Sequence, residues 1–209
     1  MQEDIQFRPA DAPGGVRHVL NTIVAPRAIA WVSSVAPDGT VNLAPHSYTT
    51  VFSANPPIVG FVSTGEKDTL RNVRASGEFV YNVVSDDLLD VMNLTSADFP
   101  PDVSEVEWAD LTPVSSDLIA APRLAESPLA MECTVVEIRQ VPGANSWLVL
   151  GEVLAFHTSP MVWKNERIDL SAVRPLTRLG GNDYGRFGEI VNRKRPVFAE
   201  IAATADLQK

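Results

Sequence analysis

Four side chains within a short span could hold an anion: Ser63, Thr64, Lys67 and Thr69. The run Ile58–Val62 before them is short, apolar and β-branched, which is strand composition. After Ser63 the pattern changes, and Leu70 and Val73 are spaced for one helix face. Asp68 is the expected N-cap, and Arg71, one turn on, can pair with it or reach back to the loop. A strand that ends in a polar loop opening a helix offers backbone N–H groups, hydroxyls and one cation to a negative group. The same loop has a plainer use, because Ser63-Thr64-Gly65-Glu66 also matches a capping box.

Other chemistries lack their residues. No Gly-x-Gly-x-x-Gly follows a strand, and Gly180 to Gly185 has the Walker spacing but is followed by Arg186-Phe187. His18, His46 and His157 are not spaced as ligands, and Cys133 has no second cysteine with which to build a zinc site. No serine sits in a nucleophile elbow. The acidic residues Asp102, Glu105, Glu107 and Asp110 read as a solvated face, so no metal site is expected. If the chain is an enzyme, its side chains supply no hard chemistry, and a bound group must carry it.

The elements that would position the anion loop are mostly strands. Ile29–Val35 is strand-like and ends in the turn Ala36-Pro37-Asp38-Gly39. A strand is expected over Asn42–Thr50, another over Phe79–Val84, and a long pair over Ala130–Gln140 and Trp147–His157, reversed at Pro142-Gly143-Ala144-Asn145. Gly151 predicts a bulge or a close backbone approach. Helices are expected over Pro13–Thr22, with Val16, Leu20 and Ile23 on one face, over Thr69–Ser76 with Gly77 as its stop, over Asp86–Leu94, and briefly from Ser104. Leu111–Pro122 reads as irregular. Strands outnumber helices and come in hairpins, so the fold expected is mainly β, an antiparallel barrel with attached helices.

The chain has 209 residues, suited to a single domain over residues 1–209 with peripheral arms at 1–11 and 188–209. A formal net charge of -9 argues against a nucleic acid partner. One cysteine excludes an intrachain disulfide. The first residues, with Glu3 and Asp4, lack an apolar signal region, and no apolar run reaches transmembrane length. A cytoplasmic protein with no membrane partner is therefore expected.

Several segments, in order, resemble the flavin reductase-like family of FMN-binding split barrels. They are Arg27-Ala28-Ile29-Ala30-Trp31-Val32-Ser33, Asn42-Leu43-Ala44-Pro45-His46-Ser47, Asn55-Pro56-Pro57 and Lys67-Asp68-Thr69-Leu70-Arg71-Asn72. Pro122-Arg123-Leu124-Ala125-Glu126-Ser127-Pro128, Leu150-Gly151-Glu152-Val153 and the run from Pro175 to Tyr184 extend the resemblance over most of the chain. It implies a split β-barrel and FMN as cofactor, with the phosphate at Ser63, Thr64, Lys67 and Thr69, and with Asp68 capping the helix or orienting Lys67. It places Ala44, His46, Ser47, Tyr48 and Thr49 along the flavin, with Ser47 near the ribityl chain; Ser33 and Trp31 carry over more weakly, Trp31 being equally a core residue, and Arg178 and Tyr184 lie over or near the flavin of their own or the partner subunit. The chain departs from the family pattern at His46 and Thr49, where an aromatic is usual, and at Glu66, where a basic residue is usual.

The implied activity is that of an NAD(P)H-dependent flavin reductase or related FMN oxidoreductase, with NADH or NADPH passing hydride to flavin N5 and no catalytic side chain required. The reduced flavin then reacts in place or leaves to supply an oxygenase or other redox partner. The alternative is an electron carrier that holds FMN and never meets nicotinamide. Leu148, Leu150, Val153 and Phe156 make both faces of their strand look buried. The second face needs cover, either from the helices over Thr69–Ser76 and Asp86–Leu94 or from a second subunit; the resemblance implies the second subunit, a homodimer with the flavin near the interface and Tyr184 reaching toward it.

Overall fold

The computed structural model describes residues 4–198. Seven strands form one sheet: β1 (Ala30–Val35), β2 (Val41–His46), β3 (Thr49–Ala54), β4 (Pro57–Thr64), β5 (Glu78–Val83), β6 (Leu129–Gln140) and β7 (Ser146–Thr158). Every pairing is antiparallel, in the order β2-β1-β5-β6-β7-β4-β3. The helices attached to it include α1 (Val16–Ile23), α2 (Asp68–Ser76), α3 (Leu89–Leu94) and the single turn α4 (Glu105–Trp108).

The order of the strands dictates the shape. β2 and β3 follow each other in the chain yet stand at opposite edges of the sheet. Only Ser47 and Tyr48 separate them, so the sheet must curl until its edges meet. The Val62 N–H donates to the Tyr48 carbonyl at 2.8 Å, which carries the β3–β4 register one step past Thr49. The Asn42–Thr50 strand expected from sequence is therefore two strands with a break at Ser47-Tyr48. The first half pairs with β1 and the second with β4.

β1 is buried along almost its whole length because both of its faces are covered. Ala30 and Val32 point into the barrel core with Phe61, Phe79, Tyr81, Val149 and Val153. Trp31 points the other way, into a second cluster with Leu43, Met92, Val106, Leu124 and Leu176. α4 caps the open edge of β2. The Glu105 carboxylate accepts from the Leu43 N–H at 2.9 Å, and the Ser104 hydroxyl donates to the Val41 carbonyl at 2.7 Å. The acidic block is thus not simply a solvated face: Glu105 is buried at a sheet edge whose backbone groups need partners.

α2 ends as expected, with Gly77 in the left-handed conformation. Its start differs. Lys67 occupies the N-cap position without a side-chain cap, and Asp68 is already helical, with its carboxylate paired to Arg71. The expected Asp86–Leu94 helix is a 3-10 turn, Asp86–Leu88, running into α3. α1 forms, but its apolar residues Val16, Leu20 and Ile23 are exposed. The arms at both ends are exposed where described, and their residues 1–3 and 199–209 lie outside the described residues.

The long hairpin carries two irregularities, one where Val135 and Glu137 face Gly151 and Leu150, the other across from Leu154. The close approach at Gly151 is made by a side chain and not by the backbone expected from sequence. A Cβ there would lie 2.5 Å from the ring of Phe79, which is fully buried and packs edge-on against Phe61. That ring has no room to yield. Gly151→Ala is therefore expected to destabilise the chain by about 1–3 kcal/mol. Urea unfolding reads it as a lower midpoint with an unchanged slope.

Candidate functional site

A cavity of about 590 Å³ opens at the seam where the barrel closes. Its walls are the end of β2 and the Ser47-Tyr48 break, the β4–α2 loop, the polar face of α1, the loop over residues 95–99, and Arg178, Gly181 and Asn182. The location follows from topology. At the break the chain leaves one ladder before joining the next: the Tyr48 carbonyl already accepts from the Val62 N–H, and Ser47 belongs to neither ladder. The other backbone groups of the pair can face a ligand.

The β4–α2 loop is built as an anion seat. Lys67, Asp68 and Thr69 line the cavity, and no side chain caps the N–H groups of the first α2 turn. Buried Asn42 donates to Thr69 Oγ1 at 3.0 Å, which leaves the Thr69 hydroxyl proton free to donate in its turn. Ser63 is buried, and its hydroxyl donates to the Gly65 carbonyl at 3.1 Å, so it supports the loop from below. The Ser63–Glu66 capping box does not form: Glu66 turns to Arg74 at 2.7 Å and leaves Lys67 as the loop's cation. Lys67 is held at 2.6 Å by Asp98, and that hydrogen bond and charge keep the Asp98 carboxyl below its usual range.

His46 stands at the end of β2, its ring tilted on Phe61 at a centroid distance of 4.5 Å. Its Nδ1 lies 3.4 Å from the Val62 carbonyl, which can only accept, so Nδ1 carries the proton. Nε2 is buried and without a protein partner. Burial pushes the imidazole down to about 4; the Val62 carbonyl opposes the shift and the Lys67 charge adds to it. The site thus presents a neutral ring with one unused acceptor. A buried polar atom left unpaired is costly, and its place in a cavity wall fits a ligand that donates to it.

Of the residues singled out from sequence, Ala44, His46, Ser47, Tyr48, Ser63, Thr64, Lys67, Asp68, Thr69 and Arg178 line this one cavity. Trp31, Ser33, Thr49 and Tyr184 do not. Trp31 has no exposed surface, and its indole donates to Thr95, a cavity residue, at 2.9 Å. Ser33 is sealed between Asn82 and the Pro122 carbonyl. Thr49 sits in the β3–β4 ladder, its hydroxyl donating to the Gly60 carbonyl at 2.7 Å. Tyr184 backs the cavity from behind Arg178, whose guanidinium lies 4.3 Å from its ring centroid, while its hydroxyl donates to Asn93 at 2.9 Å. Sequence reasoning passed over Arg17, Asn21, Arg27, Asn42, Asp98 and Glu105, all of which line the cavity. The clearest missed signal was α1, whose alternate face, Arg17 and Asn21, is polar at a spacing of one turn.

The match to known proteins agrees with this geometry. Residues 24–170 match the model of the flavin reductase like domain. The solved structure of nitrilotriacetate monooxygenase component B from Bacillus cereus is similar at a TM-score of 0.86 and 31% identity, over 92% of this chain and 100% of that one. A split barrel domain from Shewanella frigidimarina NCIMB 400 superposes at a TM-score of 0.81 with 23% identity, over 87% of this chain and 92% of that one, which speaks to the fold alone. An uncharacterized protein of Halalkalibacterium halodurans is 37% identical over 85% of this chain and 89% of its own length. The chain belongs to the flavin reductase-like family and has its split-barrel fold. Flavin is the cofactor class this membership supports, and the cavity's anion seat, apolar flank and unused acceptor fit it.

The histidine has a measurable consequence. His46 titrates near 4 in the folded chain against an ordinary 6.5, so as pH falls the unfolded chain takes the proton first. Its contribution to stability is fully present above 6.5 and is lost between about 6.5 and about 4. The wild type should lose about 3 kcal/mol more than His46→Phe between neutral pH and pH 4. Urea unfolding of the ligand-free proteins at stepped pH checks this. Parallel curves would mean that His46 titrates normally.

Proposed function

We propose that the cavity binds FMN and that the chain is an NAD(P)H-dependent flavin reductase. The observation that carries this reading is the convergence of an uncapped helix start, Lys67 and an unused histidine acceptor on one cavity at the barrel seam. In this reading the phosphate sits against the first turn of α2, held by Lys67, Thr64 and Thr69 and supported by Ser63. Ala44, His46, Ser47 and Tyr48 run along the ribityl chain and ring, and Arg178, braced by Tyr184, covers the open side. Bound flavin supplies the hydride acceptor. The chain's residues supply position and the exclusion of water, so no acid or base of their own is needed. Reduced flavin is then used in place or passed to an oxygenase or other redox partner.

Steady-state oxidation of NADH and of NADPH with added FMN or FAD tests the reading. A rate above the free-flavin background is expected with at least one pair. If FMN binds but is reduced only when a separate reductase protein is added, the chain is an electron carrier instead. The single cysteine, Cys133, is buried, and burial pushes its thiol up to about 12. An unreactive thiol of this kind suits a cytoplasmic setting.

Lys67→Ala is expected to weaken FMN binding by roughly 10- to 100-fold, the equivalent of one charge-assisted contact of about 1.5–3 kcal/mol. Thermal stability should barely change, since the pair with Asp98 is exposed. Fluorescence titration of apo-protein with FMN measures this, and unchanged affinity would place the phosphate elsewhere.

We also propose a homodimer. The single chain leaves Leu20 and Ile23 of α1, Val51 and Phe52 of β3, and Phe156 of β7 in solvent. Apolar surface on this scale favours a second copy as cover. Sedimentation equilibrium should give twice the 22.7 kDa chain mass. A mass that stays at one chain across a dilution series, with FMN still bound, would rule out a site that depends on an interface.

A further inference from the structure

The cavity has a second charged end. Arg17, Arg27 and Arg178 all line the side formed by α1 and the Arg178–Asn182 segment. Among the described residues none of the three forms an ion pair. Lys67, by contrast, is matched by Asp98, and elsewhere Arg71, Arg74, Arg139, Lys164 and Arg174 each have a carboxylate. The chain carries 26 acidic residues against 17 Lys and Arg, so acids are not scarce. Three arginines without a counter-charge have nonetheless been brought to one wall.

Arg27 is the most telling of them, because only 8% of its surface is exposed. Its Nη1 donates to the carbonyls of Asn21 at 2.6 Å and Val24 at 3.1 Å, and Nη2 to that of Leu179 at 2.8 Å. Its Nε has no partner. Three carbonyls orient the guanidinium but do not neutralise it, and a buried charge without a counter-charge is unfavourable. Arg178 is fixed in the same way, by the Gly181 carbonyl at 2.7 Å and the Tyr184 ring. The start of α1 adds to the field. Gly15 gives no side-chain cap, there is no acidic residue in the first turn, and Gly14, Arg17 and His18 all line the cavity.

We propose that this end is a second anion site, separate from the flavin phosphate seat at α2, and that it holds the anionic group of the reactant that exchanges electrons with the flavin. The inference rests on the flavin reading above. The chemistry is that of a phosphate or carboxylate met by guanidinium groups. It has two sources, the pyrophosphate of a nicotinamide dinucleotide or the carboxylate of an organic acid acceptor. Arg17 is exposed and unpaired, so Arg17→Glu reverses one charge of the site without disturbing the fold.

Wild type and Arg17→Glu are first titrated with FMN, and the FMN-loaded proteins are then titrated calorimetrically with ADP-ribose and, separately, with benzoate. Neither probe exchanges electrons, so the readout is binding alone. The FMN affinity of the variant should stay within about 3-fold of wild type, while the probe that binds should lose about 10-fold or more. Its binding to wild type should also weaken as salt is raised. ADP-ribose as the tighter probe identifies a dinucleotide, and benzoate an organic acid. Failure of both probes on FMN-loaded wild type overturns the second site and leaves the flavin reading standing. A variant that loses FMN affinity in step with the probe also overturns it, because the arginines would then belong to the flavin phosphate. Wild type that does not bind FMN overturns both.

Discussion

The closure of the sheet through two residues is the constraint on which the rest depends. Because β2 and β3 flank Ser47-Tyr48 and stand at opposite edges, the barrel cannot stay open, and it cannot close with an unbroken ladder either. The break leaves a notch in the wall, and the cavity occupies it. Each neighbouring element solves a problem that the notch creates. Thr49 and Val62 bond the Gly60 and Tyr48 carbonyls where the chain joins the β3–β4 ladder, and α4 caps the exposed edge of β2. α2 packs Leu70 and Val73 into the barrel core while its N-terminus faces the notch.

The site and the core are therefore one polar and apolar fabric rather than a pocket on an inert scaffold. Asn42 joins Ser34 of β1 to Thr69 of α2, and Asn72 reaches the same Ser34 hydroxyl from the helix. These buried amides fix where α2 begins relative to the sheet. The Trp31 indole, in the cluster on the other face of β1, holds Thr95 at the cavity rim. A change in packing on that face would be felt at the rim through this hydrogen bond.

Much of the frame was legible because its signals are local. The turn at Ala36–Gly39, the reversal before Ser146 and the Gly77 stop each follow from the backbone needs of Pro or Gly, and Gly151 stood out as a glycine inside a strand, though it is the Phe79 ring that needs the room. The break at Ser47-Tyr48 was not legible, since no glycine marks it and strand-forming residues run through it; the demand for it comes from pairing with strands remote in sequence. Asp68 was misplaced by one position because its carboxylate pairs with Arg71 one turn on instead of capping, so Lys67 takes the N-cap position. Glu105 looked solvated among its acidic neighbours, yet an edge-strand N–H needed an acceptor. Arg17 and Arg27 escaped notice because only folding brings α1 against the Arg178 segment. Val16, Leu20 and Ile23 were grouped correctly as a face, but the polar face of α1 is the one that turns inward.

Amide hydrogen exchange with and without FMN tests the central claim, that the seam is the flavin site, most directly. The account predicts that FMN slows exchange at Ser47 and Tyr48 and at the first turn of α2, while the small hairpin of Trp163–Lys164 and Arg167–Ile168, which lines no part of the cavity, is unaffected. Saturable FMN binding with unchanged exchange along the seam would contradict it.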